Sequence, residues 1–270
     1  MSNFLQRSFT GFFFVSFITI GVLWHKALFF GLFLIIEILA LNEFYNLATK
    51  SKSLPQKYYG SVVGALFFIA GFVWHIFDYG NYFSLLLIPV VSFVFIFELY
   101  RNQKHPLLNI AITLFGIFYI SVPLMLLNHI VFLNGTFNGK ILLGIFILIW
   151  ASDSGAYLFG VTMGKHRLFE RISPKKSWEG FFGGLATSQL AAYLLTQYLG
   201  SLGYLHWGII AAIVVVFGTF GDLVESMMKR SIGIKDSGNI LPGHGGILDR
   251  FDSFLFTIPV IFTYLYYFIK

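Results

Sequence analysis

Nine apolar segments are the feature that most constrains what this chain can fold into, since most are close to the roughly 20 residues that a helix needs to cross a bilayer. Continuous apolarity over such lengths is typical of helices, not of the alternating strands of a membrane barrel. Only 11% of the residues are charged, against about 25% in a typical soluble domain. We therefore expect an all-α, polytopic integral membrane bundle of about nine transmembrane helices. The segments are 9–24, 27–47, 59–77, 82–100, 108–129, 141–159, 178–199, 204–226 and 251–269.

The distribution of Lys and Arg predicts the orientation of these segments. If the segments cross alternately, 15 of the 18 Lys and Arg residues fall on one side, and only Lys26, Lys140 and Lys270 fall on the other. Basic loops lie on the cytoplasmic side of membranes, so we expect a cytoplasmic N-terminus and an outer C-terminus.

No internal repeat or long linker divides the chain, which predicts a single transmembrane domain over residues 1–270. We expect an N-terminal helical region at 1–140 and a second half at 141–270, with large cytoplasmic loops at 160–177 and 227–250. The absence of cysteine excludes disulfides, thiolate-bound zinc and thiol nucleophiles.

A polar segment at residues 226–252 carries more charge than so apolar a chain would be expected to hold in one loop. Its glycines allow backbone N–H groups to approach an anion, and its carboxylates suit a hard divalent cation. A solvated loop, with Asp249 and Asp252 merely complementing a helix dipole, would explain any one of these residues, but it does not explain the whole set. The charged residues and His are Lys229, Arg230, Lys235, Asp236, His244, Asp249, Arg250 and Asp252.

Other polar residues lie at the cytoplasmic ends of neighbouring apolar segments. Asp153 lies inside the sixth segment, where an acid is expected to face the protein interior or a wet cavity. Asp222, Glu225, Ser226 and Lys229 follow one another at the spacing of a single helical face. An alternative is a simple intramembrane ion pair that joins Asp222 or Glu225 to Lys229 or Arg230.

The end of the sixth loop provides a further candidate binding region. Lys175 and Lys176 suit either a specific phosphate contact or nonspecific binding of lipid headgroups. Ser177 and Glu179 are also consistent with a simple N-terminal cap of the next helix. Glu37, deep in the second segment, has no partner that the sequence identifies.

The polar segment resembles the signature of the phosphatidate cytidylyltransferase family, also called CDP-diglyceride synthases, with every position filled. Runs at 153–157, 173–180 and 221–226 are similar to other motifs of that family, so the strong resemblance covers about 150–252. The signature positions are Ser226, Lys229, Arg230, Lys235, Asp236, Pro242, His244, Gly245, Gly246, Asp249, Arg250 and Asp252.

The resemblance implies condensation of CTP with phosphatidic acid, giving CDP-diacylglycerol and pyrophosphate at the cytoplasmic face of a bacterial-type inner membrane. It also implies a homodimer and a Mg²⁺ site that holds a second cation, with no nucleic-acid partner. Carried onto this sequence, Asp222 and Asp249 would bind the metal.

The remaining candidate roles divide by the chemistry of the side chain. The supporting acids are Asp153, Asp252 and Glu225. The residues expected to bind CTP phosphates are Lys229, Arg230, Lys235 and Arg250, with the backbone of His244, Gly245 and Gly246. Those expected at the phosphatidate headgroup are Lys175, Lys176 and Ser177. Glu179, Ser226 and Asp236 complete the substrate-binding set.

Two other functions remain open from the sequence. A CTP-dependent lipid-alcohol kinase, similar to dolichol or phytol kinases, would transfer the γ-phosphoryl group and would benefit from a general base. A polytopic transporter would use buried acids as an ion pathway. Charges at mid-depth in several segments would favour a transporter, whereas most charges here gather at one face of the membrane.

Overall fold

A computed structural model describes residues 3–51, 53–77, 80–238 and 245–269. The chain forms two compact units. The first contains the residues up to Phe137 together with Asp236–Arg250, and the second contains Asn138–Lys235 and the residues from Phe251 onward.

The first unit is built from helices in its N-terminal part. Pro106 begins α5, a position that favours proline because the first helical N–H needs no partner within the helix. A single π-helical turn, Ile117–Ser121, joins α5 to the next helix, so 106–131 is helical throughout. The helices are α1 (Asn3–Leu23), α2 (Lys26–Thr49), α3 (Lys57–Ile76), α4 (Gly80–Arg101), α5 (Pro106–Gly116) and α6 (Val122–Val131).

Aromatic side chains and a few polar contacts pack the first unit. Phe29, Phe33 and Phe68 are fully buried neighbours. The hydroxyl of the buried Tyr45 donates a hydrogen bond to the Thr113 carbonyl at 2.8 Å, which ties α2 to α5. The core of this unit is therefore largely apolar, and a polar contact of Tyr45 joins two of its helices.

One buried polar network in the first unit is centred on Glu98 of α4. Its carboxylate accepts hydrogen bonds from the Gln56 amide at 2.9 Å and the Asn109 amide at 2.7 Å, and it pairs with Arg101 at 2.7 Å. These partners satisfy an acid that is only 4% exposed, as a buried charge requires.

The second unit contains four helices and one short hairpin. The elements are α7 (Lys140–Met163), β1 (Arg167–Phe169), β2 (Ser173–Ser177), α8 (Trp178–Tyr198), α9 (Tyr204–Ser231) and α10 (Leu248–Phe268), of which α10 begins in the first unit. Helix α7 packs against α8 and α9. Fully buried Trp207 of α9 fits against Gly144 of α7, and Phe146 stacks on Phe254 with ring centroids 4.5 Å apart.

The all-α class predicted from the sequence is confirmed, and each of the nine apolar segments coincides with a helical stretch. The hairpin of β1 and β2 was not predicted, because strands of three and five residues leave no periodic pattern.

In the part of the chain that the structure describes, six helical stretches are long and apolar enough to cross a membrane, namely α2, α3, 106–131, α7, α9 and α10. The protein is an integral membrane protein.

Candidate functional site

In the second unit, acids from two helices lie near Asp252, an acid of a third helix. Asp153 of α7 and Asp222 of α9 lie near enough to Asp252 of α10 for their charges to repel its carboxylate, and Lys176 lies near enough to attract it. We call Asp153, Asp222, Asp252 and Lys176 the acid cluster. All four residues are candidates from the sequence, but only the fold brings them together.

Close packing of α9 against α10 brings Asp222 near Asp252. A Cβ atom added at Gly221 would lie 2.7 Å from the carbonyl oxygen of Asp252 and 3.2 Å from the Cα atom of Ser253. These are backbone atoms, which cannot move aside without moving the helix. Glycine at position 221 therefore permits the approach of the two helices.

Lys176 is the positive partner in the acid cluster. Its Nζ atom lies 2.6 Å from Oδ2 of Asp222, and both side chains are partly exposed, at 26% and 36%. The Ser226 hydroxyl donates to Oδ1 of the same carboxylate at 3.1 Å. Both carboxylate oxygens of Asp222 thus have a partner.

The sequence after Lys176 explains how the lysine is held. Ser177 ends β2 and caps α8, with its hydroxyl accepting a hydrogen bond from the Gly180 N–H at 3.1 Å. Glu179, in the first turn of α8, accepts from the backbone N–H groups of Lys165 and His166 and contacts His166 Nδ1 at 2.6 Å. The capping interpretation of Ser177 is confirmed, and the cap fixes the strand on which Lys176 lies.

A second ion pair lies further along α9. Lys229 Nζ is 2.5 Å from Oε2 of Glu225, one helical turn away, and both side chains are buried. The sequence allowed an ion pair for either Asp222 or Glu225 with Lys229 or Arg230. The structure realises the Glu225 pair, while Asp222 contacts Lys176, and Arg230 donates to the Ile234 carbonyl at 2.9 Å.

In the first unit, backbone N–H groups hold the carboxylate of Asp249. Oδ2 accepts from Ser237 N at 2.9 Å and from Gly246 N at 2.8 Å. Gly245 has a φ angle of +82°, and a Cβ atom there would lie 2.6 Å from Asp249 Oδ2, so this position requires glycine. The Gly246 N–H, expected from the sequence to help bind CTP phosphates, therefore donates to Asp249. His244, the third residue of that expectation, lies outside the described residues.

Sequence reasoning missed one acid in the first unit. Glu43 of α2 is 5% exposed, and its carboxylate accepts hydrogen bonds from the backbone N–H groups of Ile247 and Leu248 at 3.0 and 2.9 Å. The available signal was an acid inside an apolar segment, which singled out Asp153 and Glu37 but was not applied to Glu43. Glu37 itself is fully buried in α2, beside Gly64 of α3.

The remaining predicted residues lie on exposed parts of the two units. Lys175 of β2 and Lys235 are exposed in the second unit, and Asp236 and Arg250 are exposed in the first. Exposure leaves these side chains accessible to a soluble ligand.

The acid cluster offers carboxylate oxygens, which are suitable donors for Mg²⁺, without a complete protein cage. Among the described residues, no group of three or more acidic or histidine side chains is arranged to hold a metal ion. Magnesium is usually bound by one or two carboxylates together with waters and substrate phosphates. The acid cluster offers carboxylates of this kind.

Comparison with known proteins identifies the family. The model of the cytidylyltransferase family matches residues 5–268. The phosphatidate cytidylyltransferase of Staphylococcus epidermidis is 39% identical over 181 residues, which cover 65% of this chain and 66% of that protein. The Staphylococcus aureus enzyme of the same name is 40% identical over 178 residues, covering 65% and 66%. The Staphylococcus haemolyticus enzyme is 36% identical over 186 residues, covering 68% and 70%.

These relatives agree with the family model, although the matched region spans just under two thirds of the length of the first two relatives. The family match covers nearly the whole chain, including every residue of the acid cluster. The chain therefore belongs to the cytidylyltransferase family.

Proposed function

We propose that this protein transfers the cytidylyl group of CTP to phosphatidic acid, giving CDP-diacylglycerol and pyrophosphate for phospholipid biosynthesis. The observation that carries the proposal is the acid cluster, in which Asp153, Asp222 and Lys176 all lie near Asp252 and Lys176 pairs with Asp222. The names of the staphylococcal relatives support the same substrates.

The proposed reaction needs charge neutralisation more than a general base. An oxygen of the phosphatidate phosphomonoester forms a bond to the α-phosphorus of CTP, while the bond to the β-phosphate oxygen breaks and pyrophosphate leaves. The second pKa of a phosphomonoester is about 6, so the attacking oxygen is already largely ionised at neutral pH. Catalysis then consists mainly of alignment and electrostatic stabilisation.

The cations of the chain are proposed to stabilise the phosphates. Lys176 would contact a substrate phosphate from the acid cluster, and Lys175 would contact the phosphatidate headgroup. The residues proposed for the phosphates of CTP are Lys229, Arg230, Lys235 and Arg250. The observed ion pairs of Lys176 and Lys229 hold these two lysines in defined positions before substrate binds.

We propose Asp222 and Asp249 as ligands of Mg²⁺, with a second cation nearby and with Asp153, Asp252 and Glu225 as supporting acids. When bound, such an ion neutralises charge on the phosphate oxygens of CTP. The carboxylate of Asp222 is oriented by Lys176 and Ser226. That of Asp249 is oriented by backbone N–H groups, as coordination by a fixed ligand requires.

We also propose that all nine helical stretches cross the membrane, with the N-terminus and the site on the cytoplasmic side of a bacterial-type inner membrane. The distribution of Lys and Arg supports this orientation. A homodimer, which the family resemblance implies, completes the proposal.

Radiolabelled CTP tests the reaction. We expect purified protein with phosphatidic acid and Mg²⁺ to transfer the α-phosphate label into lipid and to release pyrophosphate. Asp222→Asn and Asp249→Asn should each reduce this transfer by at least about 100-fold, because each removes charge from the metal site. Glu170→Gln, a loss of the same charge on an exposed residue of the hairpin, is the control.

The outcomes separate the three candidate functions. Transfer of the γ-label to a lipid alcohol would support a kinase and would contradict the proposal. Ion movement in proteoliposomes without pyrophosphate release would support a transporter. Near-normal transfer by either Asn variant would show that its acid is not a metal ligand.

A further inference from the structure

The carboxylate of Glu43 lies between the two ends of residues 237–248. At one end it accepts a hydrogen bond from the Ser237 hydroxyl at 3.2 Å. At the other it accepts from the backbone N–H groups of Ile247 and Leu248 at 3.0 and 2.9 Å. Leu248 is the first residue of α10, so an acid of α2, about 200 positions earlier in the chain, acts as the N-terminal cap of α10.

Two glycines leave the space that this carboxylate occupies. A Cβ atom added at Gly238 would lie 2.6 Å from Oε1 of Glu43, and one added at Gly246 would lie 2.4 Å from Oε2. Gly238 lies near the first end of residues 237–248, and Gly246 lies near the second. Described residues at both ends of 237–248 therefore pack directly against the carboxylate.

Ser237 and Gly246 connect Glu43 to Asp249. The hydroxyl of Ser237 donates to Glu43, while its backbone N–H donates to Asp249. Gly246 packs against Glu43 and donates its own N–H to the same Asp249 carboxylate. Ser237 and Gly246, which both donate hydrogen bonds to Asp249, are thus themselves in contact with Glu43. We call Glu43, Ser237, Gly246 and Asp249 the clamp.

We propose that Glu43 is a positioning residue, which holds the ends of residues 237–248 together and thereby orients Asp249 for metal binding. The part that concerns metal binding rests on the proposed function, whereas the joining of the two ends by Glu43 does not. Glu43 acts through Ser237 and Gly246 and needs no contact with substrate.

The negative charge of Glu43 is essential to this role. Its two oxygens accept three hydrogen bonds, and hydrogen bonds to a charged group are stronger than neutral ones. Glutamine at this position would present an NH₂ group to donors that already point at it. Glu43→Gln should therefore weaken the contacts of both ends with residue 43 without adding or removing bulk.

The experiment compares Glu43→Gln with Glu98→Gln. Glu98 is a matched control because it is an acid of the first unit with 4% exposure, close to the 5% of Glu43, and its partners are Gln56, Asn109 and Arg101. Hydrogen exchange of peptides within 236–250 and the Mg²⁺ dependence of turnover are measured for wild type and both variants. Ser237→Ala serves as a milder variant, since it removes one hydrogen bond to Glu43 and keeps the N–H bond to Asp249.

We expect Glu43→Gln to speed the exchange of the Ile247 and Leu248 amides by about tenfold or more, which is the factor lost with one charged hydrogen bond. The apparent Mg²⁺ affinity should fall by about tenfold to 100-fold, as for other residues that orient a metal ligand. Turnover at saturating Mg²⁺ should fall less. Ser237→Ala should shift both quantities in the same direction by smaller factors, and Glu98→Gln should shift neither.

The two readouts separate this proposal from the proposed function. Wild-type exchange in Glu43→Gln would overturn the clamp, whatever the enzyme catalyses. Faster exchange with unchanged Mg²⁺ affinity would overturn the positioning of Asp249. If the wild-type protein forms no CDP-diacylglycerol but Glu43→Gln still speeds exchange, the proposed function would be overturned and the joining of the two ends by Glu43 would stand.

Discussion

At the scale of single residues, the site consists of charges whose partners come from different elements. Asp222 and Glu225 lie on the same face of α9, yet one pairs with Lys176 of β2 and the other with Lys229 of its own helix. Spacing within a helix predicts the Glu225 pair, because residues four apart are neighbours. Spacing within α9 contains no information about Lys176, which reaches Asp222 because the hairpin of β1 and β2 folds back.

Replacing Lys176 with methionine tests the importance of this cation. We expect kcat/KM for CDP-diacylglycerol formation to fall by about 100-fold, because the cation proposed to contact a substrate phosphate is lost. The free energy of unfolding should change by only about 0–1 kcal/mol, since partly exposed ion pairs contribute little to stability. Activity assays and thermal unfolding in detergent measure the two effects.

Lys165→Met is the control for that variant, because Lys165 is also an exposed lysine of the second unit but lies outside the acid cluster. It should retain normal kcat/KM. A Lys176→Met enzyme with normal kcat/KM would show that the pair with Asp222 has no catalytic role.

At the scale of elements, the close approach of α9 to α10 builds the acid cluster. The hydrophobic pattern located both helices. Helix α10 begins three residues before its predicted segment, and α9 ends five residues after its own predicted segment. A pattern of apolar residues does not show where two helices come closest. That information lies in Gly221, where the backbone of α10 leaves no space for a side chain.

Gly221→Ala should destabilise the protein by about 1–3 kcal/mol, because its new methyl group would overlap the Asp252 carbonyl oxygen. The matched control is Gly218→Ala, one turn earlier on the same helix, where a Cβ atom would lie at an ordinary contact distance of 3.4 Å from Ser253 Cβ. Alanine there should be neutral or stabilising by up to about 1 kcal/mol. Thermal unfolding measures both variants, and equal stabilities would contradict the proposed tight contact.

At the scale of the whole molecule, the number of membrane crossings decides which loops share a side. Among the described residues, six helical stretches are long and apolar enough to cross a membrane, and α4 is not one of them. If only those six cross, the loops that contain Ser51 and Thr136 lie on the same side. If all nine cross, as we propose, the two loops lie on opposite sides.

Single cysteines can distinguish these arrangements, because the natural chain contains none. We expect a membrane-impermeant maleimide to label Thr136→Cys but not Ser51→Cys in intact cells, and to label both after permeabilisation. Both positions are exposed in the structure. Equal labelling of the two cysteines in intact cells would contradict the nine-crossing arrangement.

The sequence by itself determined the helical class, the positions of the helices and the residue types of the site, since long apolar runs leave helices as the only way to satisfy backbone hydrogen bonds in lipid. The charged residues stood out for the same reason, because each is costly in an apolar chain. Only the tertiary structure decided which residues these charged side chains contact. Lys176 meets Asp222 through a hairpin without a periodic pattern, and Glu43 caps a helix about 200 residues away because contacts between distant segments depend on how helices pack.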